Sequence, residues 1–423
     1  MVYESIYEGN KWTPASELGA KYLIAIAIGD IDADCDRIEF VIKPYTSKNG
    51  INNYGDATIL VWTGASDVEG YPVFDYIEQD VYNLNTWLVP YWEGNIMYNE
   101  SCLMIGDEGV PLMYEPKQII SVRSCDLRTT YVEGVDYKIE DGKIYRLEGS
   151  SMPYYDEAEY YLTSADTAVT GSAVECKDGT YILSAPSAVF QQNSVFVTYT
   201  HAKNTKYIVP ETSTKLNKFI EKLEAGEEVN VVFFGDSITD GSNATGRENV
   251  APYMPRWTEM VTAALRGKYP KAVINYTNTA VGGKNVSWGV ENYETSVNAY
   301  SPDLLVLGFG MNDINTSVEN FILRTKTIVD GVLAANPDCE IVLIGSMLPN
   351  EIWKWYGNQY LFEDALIGLA ESYDNVDVAK MTSVHRSLLT GKRFVDMTSN
   401  NCNHPNDFLI RVYAQTILKL LVG

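Results

Sequence analysis

Asn230–Gly246 reads NVVFFGDSITDGSNATG. The apolar run NVVFF (230–234) is a buried strand, and it stops at Gly235-Asp236-Ser237. Working outward, similar runs recur: KAVINYTN (271–278), LLVLGFG (304–310), EIVLIGSM (340–347) and NVDVA (375–379). Stretches with helical periodicity lie between and around them: TSTKLNKFIEKLEAGEE (212–228), RWTEMVTAALRGKYP (256–270), SVENFILRTKTIVDGVLAANP (317–337), YLFEDALIGLAESY (360–373) and FLIRVYAQTILKLL (408–421). Five apolar strands interleaved with helices predict a mostly parallel sheet covered on both faces.

Before residue 205 the pattern differs. VDYKIEDGKIYRL and AVECKDGTYIL each place Asp-Gly, at 141–142 and 178–179, between alternating runs, as in a tight β-hairpin. SVFVTYTH (Ser194–His201) reads as a further strand. The expectation is an antiparallel β-sandwich over 1–205 and an α/β domain over 212–423, parted where KNTKYIVPET loses periodicity.

The chain has 423 residues, 46% hydrophobic and 21% charged, which is globular composition. Its formal net charge of −24 opposes nucleic acid or an anionic membrane as main partner and leaves neutral substrates open. The apolar run Tyr22–Ile28 is too short to span a membrane. No basic region followed by an apolar stretch opens the chain, so a cytoplasmic protein, or a secreted one without its signal, is expected. Six cysteines without a Cys-x-x-Cys pair suggest neither zinc site nor disulfide framework. No cofactor or metal is expected, and the oligomeric state is not encoded legibly. Asp30–Asp36 (DIDADCD) fails as an EF-hand, because Cys35 stands where Gly is needed and Val41 where the bidentate Glu is needed.

Chemistry gathers where strands end, the place where open α/β sheets bind ligands. Ser237, Gly283 and Asn312 each follow a strand, and His404 lies on the loop before the last helix. A serine hydroxyl becomes a nucleophile when a base takes its proton, and His404 is the natural base, with a near-neutral pKa unless perturbed. Ser237 is expected to open a helix and present its own N–H. The Gly283 N–H and the Asn312 amide would complete a donor set for a developing oxyanion.

GDSITDG, NTAVGGKN, GFGMND and NHPND, in this order, resemble the four blocks of the SGNH (GDSL-type) hydrolases over residues 212–423. The resemblance implies a flavodoxin-like three-layer α/β/α fold and a metal-free serine esterase. Ser237 would be the nucleophile, His404 the base, and Ser237, Gly283 and Asn312 the oxyanion donors. The longer strings GDSITDGSNATG, GGKNVSWG and NHPNDF look most like bacterial esterases of acetylated carbohydrates, many with an N-terminal β-sandwich. A carbohydrate-binding or substrate-positioning role for residues 1–205 would follow, with a small-molecule or oligosaccharide ester as substrate.

One position departs from the pattern. Family members usually carry Asp three residues before the histidine, and here that residue is Asn401. Three partners for the imidazole stay open: Asn401, a backbone carbonyl, or Asp396; a Ser–His dyad assisted by a neutral acceptor is favoured. Asp407 is a weaker candidate, explained as well by the helix dipole. Trp288 and Met311 flank the blocks as acyl-pocket or core residues. His201 and His385 read as structural, and Cys402 lacks surrounding oxyanion donors. The rivals are a metallophosphoesterase, poorly served by three histidines, a lipase- or thioesterase-type acyl hydrolase, and a glycan-binding protein on an inert scaffold.

Overall fold

The computed structural model describes residues 84–423 except 166–167, 169–171 and 186, together with segments 6–8, 11–13, 38–42 and 57–61. Asp30–Asp36 and Tyr22–Ile28 lie outside the described residues. The chain divides into two compact units, Met1–Asp80 and Val81–Gly423. In the first, Ile6–Glu8 pairs antiparallel with Lys11–Thr13, and Ile38–Ile42 with Ala57–Val61.

In the second unit, five parallel strands form the central sheet: β1 (Glu228–Gly235), β2 (Val273–Asn278), β3 (Leu304–Gly308), β4 (Glu340–Gly345) and β5 (Val376–Lys380). Their order, β2-β1-β3-β4-β5, is the flavodoxin-like one. Alternation along the strands fills two cores. Val231, Phe233, Leu304, Val306, Val342 and Ile344 face one side, packed with α1 (Asn217–Ala225), α2 (Trp257–Lys268), α6 (Met381–Leu388) and α7 (Asp407–Val422). Val232, Phe234, Leu305, Leu307, Ile341 and Leu343 face the other, packed with α3 (Val286–Ser296), α4 (Val318–Ala335) and α5 (Phe362–Ala370). Each fully buried Phe, Leu or Val contributes about 1.5–3 kcal/mol. The result is the expected three-layer α/β/α domain.

The β-rich part of the second unit, residues 96–200, is built from antiparallel sheets, as expected, while the division between the two units falls at Asp80 and Val81, not near residue 205. One has the order Ile96–Leu103, Ser194–Thr200, Gln118–Ser124, Thr130–Tyr131. Both Asp-Gly hairpins form; in the first, Glu140 pairs with Lys143 across Asp141 and Gly142, whose φ angles are 49° and 69°. That is the positive-φ pair a two-residue turn requires.

The β-rich part and the α/β domain share a polar seam and a core. Helix α7 is buried almost all round because the parallel sheet lies on one side and the β-rich strands on the other. Arg411 of α7 donates to the carbonyls of Tyr98 (2.9 Å) and Asn99 (2.8 Å). Beside it, the fully buried Lys392 ammonium sits 2.9 Å from the Glu100 carboxylate. Tyr199 donates its hydroxyl to Glu100 at 2.6 Å and the Met113 N–H donates at 3.0 Å. This pair therefore meets the condition for a tolerable buried charge, opposite charge plus hydrogen bonds.

Candidate active site

Strand β1 delivers Ser237 to the carboxyl edge of the sheet, but not at a helix start. Residues 236–249 fold as successive turns, and the next helix waits until Trp257. Gly241 at φ 76° and Asn243 at φ 71° break any helix there and swing the chain back toward the His404 loop. Gly235 is required by contact: a Cβ on it would lie 2.2 Å from the Gly308 carbonyl oxygen. Asp236 turns the chain by accepting the Ile238 N–H at 2.9 Å; burial pushes its carboxyl up to about 7.

The Ser237 Oγ lies 2.9 Å from His404 Nε2. The other ring nitrogen, Nδ1, faces the side-chain oxygen of Asn243 at 2.5 Å. The Asn243 amide is oriented from behind, because its NH₂ donates to the Ser187 carbonyl of the β-rich part. With Oδ1 therefore the acceptor, Nδ1 carries the ring proton and Nε2 presents a lone pair to the serine. Ser187 also donates its hydroxyl to Glu248, which accepts the Asn243 N–H at 3.3 Å and pairs with Arg247 at 2.9 Å. Burial first, and the Arg247 guanidinium second, push the His404 pKa down to about 4. The ring is thus neutral through the ordinary pH range.

Neither residue expected to orient His404 does so. Asn401, at φ 59°, turns its amide to the Tyr160 hydroxyl and the Leu183 carbonyl, both 2.9 Å away. Asp396 is held by a two-pronged bond from Arg393 (2.8 and 2.9 Å) and accepts the Leu103 N–H at 2.8 Å. Both serve the seam with the β-rich strands. The imidazole partner is instead Asn243, inside the GSNATG string. Its signal in the sequence was its position in the first block, two residues after Gly241, where no hydrophobic pattern explains it. Asp407 accepts the Thr245 N–H (3.0 Å) and hydroxyl (2.6 Å), so it fastens the same turn without touching His404.

The donor loops converge beside Ser237. The Val281 N–H bonds the Gly235 carbonyl at 3.0 Å, and a Cβ on Gly282 would lie 3.8 Å from the Ser237 Cβ. Gly283 has φ 75° with open space around its Cα, so backbone conformation, not crowding, calls for glycine. Asn312 donates one amide hydrogen to the Lys284 carbonyl at 2.9 Å, which ties two donor loops together and leaves its second amide hydrogen. Asp313 fastens the same junction from below, accepting the Val286 N–H at 3.1 Å. Among the described residues, the Ser237 and Gly283 N–H groups have no hydrogen-bond partner. Met311 is core, Trp288 packs on Phe234 and Phe309, and the buried Cys402 thiol rests on the Ser184 hydroxyl with its pKa pushed up to about 11 by burial. His385 is fully buried and accepts the Leu348 N–H at 3.0 Å; His201 stacks on Tyr114. Among the described residues, no three His, Cys, Asp or Glu side chains converge as a metal site, and no helix is long and apolar enough to cross a membrane.

The flavodoxin-like sheet thus carries a serine–histidine pair at its carboxyl edge. Residues 233–408 match the GDSL-like lipase/acylhydrolase family. Among solved structures, a two-domain esterase active on acetylated mannans, crystallised with mannopentaose, is similar at 23% identity. That match has a TM-score of 0.41, covers 49% of this chain, and spans about half (52%) of the esterase. Axe2, an acetylxylan esterase from Geobacillus stearothermophilus, is similar at 18% identity, covering 46% of this chain and 94% of its own, with a TM-score of 0.38. The acetyl xylan esterase AlAXEase is similar at 19% identity, covering 45% and 98%, with a TM-score of 0.37. No curated protein matches the sequence.

Proposed function

We propose that this chain hydrolyses short acyl esters of carbohydrates, acetyl esters foremost, through an acyl-Ser237 intermediate. The observation that carries the reading is the relay Ser237 Oγ, His404 Nε2, His404 Nδ1, Asn243 Oδ1, closed by the Ser187 carbonyl. The preference for acetyl groups and sugar alcohols rests on the likeness of GDSITDGSNATG, GGKNVSWG and NHPNDF to bacterial esterases of acetylated carbohydrates.

His404 Nε2 takes the Ser237 hydroxyl proton as Oγ bonds to the acyl carbon, and the carbonyl oxygen becomes an oxyanion. The N–H groups of Ser237 and Gly283 and the spare Asn312 amide hydrogen receive that charge. The tetrahedral adduct collapses; the C–O bond to the alcohol breaks, and the alcohol oxygen takes the proton from His404. Water then attacks the acyl-serine, giving its proton to His404, which returns it to Ser237 Oγ as the carboxylic acid leaves. Asn243 fixes the ring tautomer. As a neutral acceptor it stabilises imidazolium less than a carboxylate does, in keeping with a His404 pKa pushed down to about 4.

Ser237→Ala tests the reading. Turnover of 4-nitrophenyl acetate falls to the level of the uncatalysed reaction, while wild-type protein releases acetate from acetylated xylan or mannan faster than it cleaves longer acyl esters. Retained turnover in Ser237→Ala would overturn the mechanism, and preference for long-chain esters would move the reading to a lipase-type hydrolase.

A further inference from the structure

The loop after β4 has no role in the chemistry above, yet it carries an unusual density of rings. Within residues 350–361, Trp353 and Trp355 stack with centroids 5.5 Å apart, and Tyr356 and Tyr360 stack at 5.7 Å. Trp355 is 40% and Tyr360 41% exposed. In each pair the exposed ring lies on a less exposed partner, and Lys177 sits over the Tyr356 ring at 4.4 Å. Four rings arranged as two rigid pairs at the surface are a stable, ready-made platform rather than a stray apolar exposure.

The loop's anchors give its place. At its start, Asn350 donates its N–H to the Cys402 carbonyl (2.8 Å) and its amide to the Asn401 carbonyl (3.0 Å), just before His404. At its end, the Gln359 amide donates to the Met311 carbonyl at 3.3 Å, just before Asn312, and the Asn358 amide to the Thr316 carbonyl at 3.0 Å. The loop therefore runs along the rim from the base to the oxyanion-donor loop. The 172–184 hairpin of the β-rich part braces its middle: the Lys177 N–H donates to the Ile352 carbonyl at 2.8 Å, and Lys354 pairs with Glu175.

We propose that Trp355 and Tyr360 form a stacking site for the pyranose chain that bears the ester, holding sugar units beside the one being deacylated. The inference rests on the esterase reading for what happens at Ser237 and adds the binding of the neighbouring sugars. Flat rings suit the C–H faces of pyranoses, and a net charge of −24 selects a neutral chain over a polyanionic one.

The test compares kcat/KM for acetylated xylo-oligosaccharides and, separately, acetylated manno-oligosaccharides with kcat/KM for 4-nitrophenyl acetate. Trp355→Ala and Tyr360→Ala each lower the oligosaccharide-to-aryl-acetate ratio roughly 3- to 10-fold, mainly through KM. Trp355→Phe and Tyr360→Phe, which keep a ring, restore most of it, and thermal unfolding reports whether each variant is folded. In a second arm, xylopentaose and mannopentaose are titrated into Ser237→Ala protein by calorimetry. Binding to either sugar that weakens in Trp355→Ala supports the platform even if no ester is cleaved, so the two readings fail separately. Unchanged ratios together with unchanged or absent sugar binding overturn it. So does a Trp355-dependent dimer in sedimentation with unaltered substrate preference, which would make the patch a surface between copies.

Discussion

Substituting Asn243 separates an oriented imidazole from a free one. Asn243→Ala removes the bond to Nδ1 and leaves both the ring N–H and the Ser187 carbonyl unpaired in a half-buried site. A lost neutral hydrogen bond with an unsatisfied partner costs about 1–3 kcal/mol. At 1.36 kcal/mol per tenfold, kcat/KM on 4-nitrophenyl acetate falls roughly 5- to 150-fold. His404→Ala, which removes the base itself, loses far more, on the order of 10⁴-fold or greater. Asn243→Asp acts differently. A carboxylate beside the ring raises a histidine pKa by about 1–3 units. The wild-type imidazole, pushed down to about 4, stays neutral and active as base down to that pH. The acid limb of kcat/KM therefore lies near 4 in wild type and moves to roughly 5–7 in Asn243→Asp. The variant also loses the donor to Ser187, so its plateau at pH 8 does not exceed wild type. The assay is kcat/KM from pH 3.5 to 9 in both proteins. Wild-type-like activity in Asn243→Ala, or an acid limb that stays put in Asn243→Asp, would refute this placement of the third residue.

The donor set gives a second expectation: Asn312→Ala lowers kcat about 10²–10³-fold with little change in KM. Gly283→Ala meets no neighbour but strains a residue at φ 75°, so it costs about 1–2 kcal/mol of stability and lowers kcat as its N–H turns away, seen by paired melting and kinetic measurements. His385 is fully buried with its pKa pushed down to about 3, so the folded protein refuses a proton that the unfolded chain accepts below about 6.5. That stabilising contribution is whole above pH 6.5 and is lost as pH falls toward 3; the melting-temperature advantage of wild type over His385→Gln therefore narrows between pH 7 and 4.5, and an unchanged gap contradicts it. At the seam, Lys392→Met strands the buried Glu100 charge and costs about 3–5 kcal/mol in denaturant unfolding, most of it recovered in the double variant with Glu100→Leu.

The α/β architecture was legible because its strands are apolar runs, four of the five ending in a glycine or asparagine block, and parallel strands covered on both faces leave that trace. Ser237, at a strand end, and His404, on the loop before the last helix, were legible because no packing role explains a special residue at either place. What was not legible depends on contacts between distant segments. The turn after Ser237 read as a helix start, since Asp-Ser-Ile-Thr suits one; the positive φ angles at Gly241 and Asn243 decide otherwise. Asn401 and Asp396 were plausible by spacing to His404, but spacing does not reveal that Leu183 and Leu103 of the β-rich part claim them. For the same reason Asn243 was hidden: its identity as the imidazole's partner needs Ser187 behind it, a residue 56 positions earlier in the chain.

Covalent labelling bears most directly on the central claim that Ser237 is the nucleophile activated by His404. Intact protein is treated with a fluorophosphonate and the modified peptide is mapped by mass spectrometry. The account expects one adduct, on Ser237, absent in Ser237→Ala and formed at least about 10³-fold more slowly in His404→Ala. An adduct on another residue, or equal labelling rates with and without the imidazole, contradicts it.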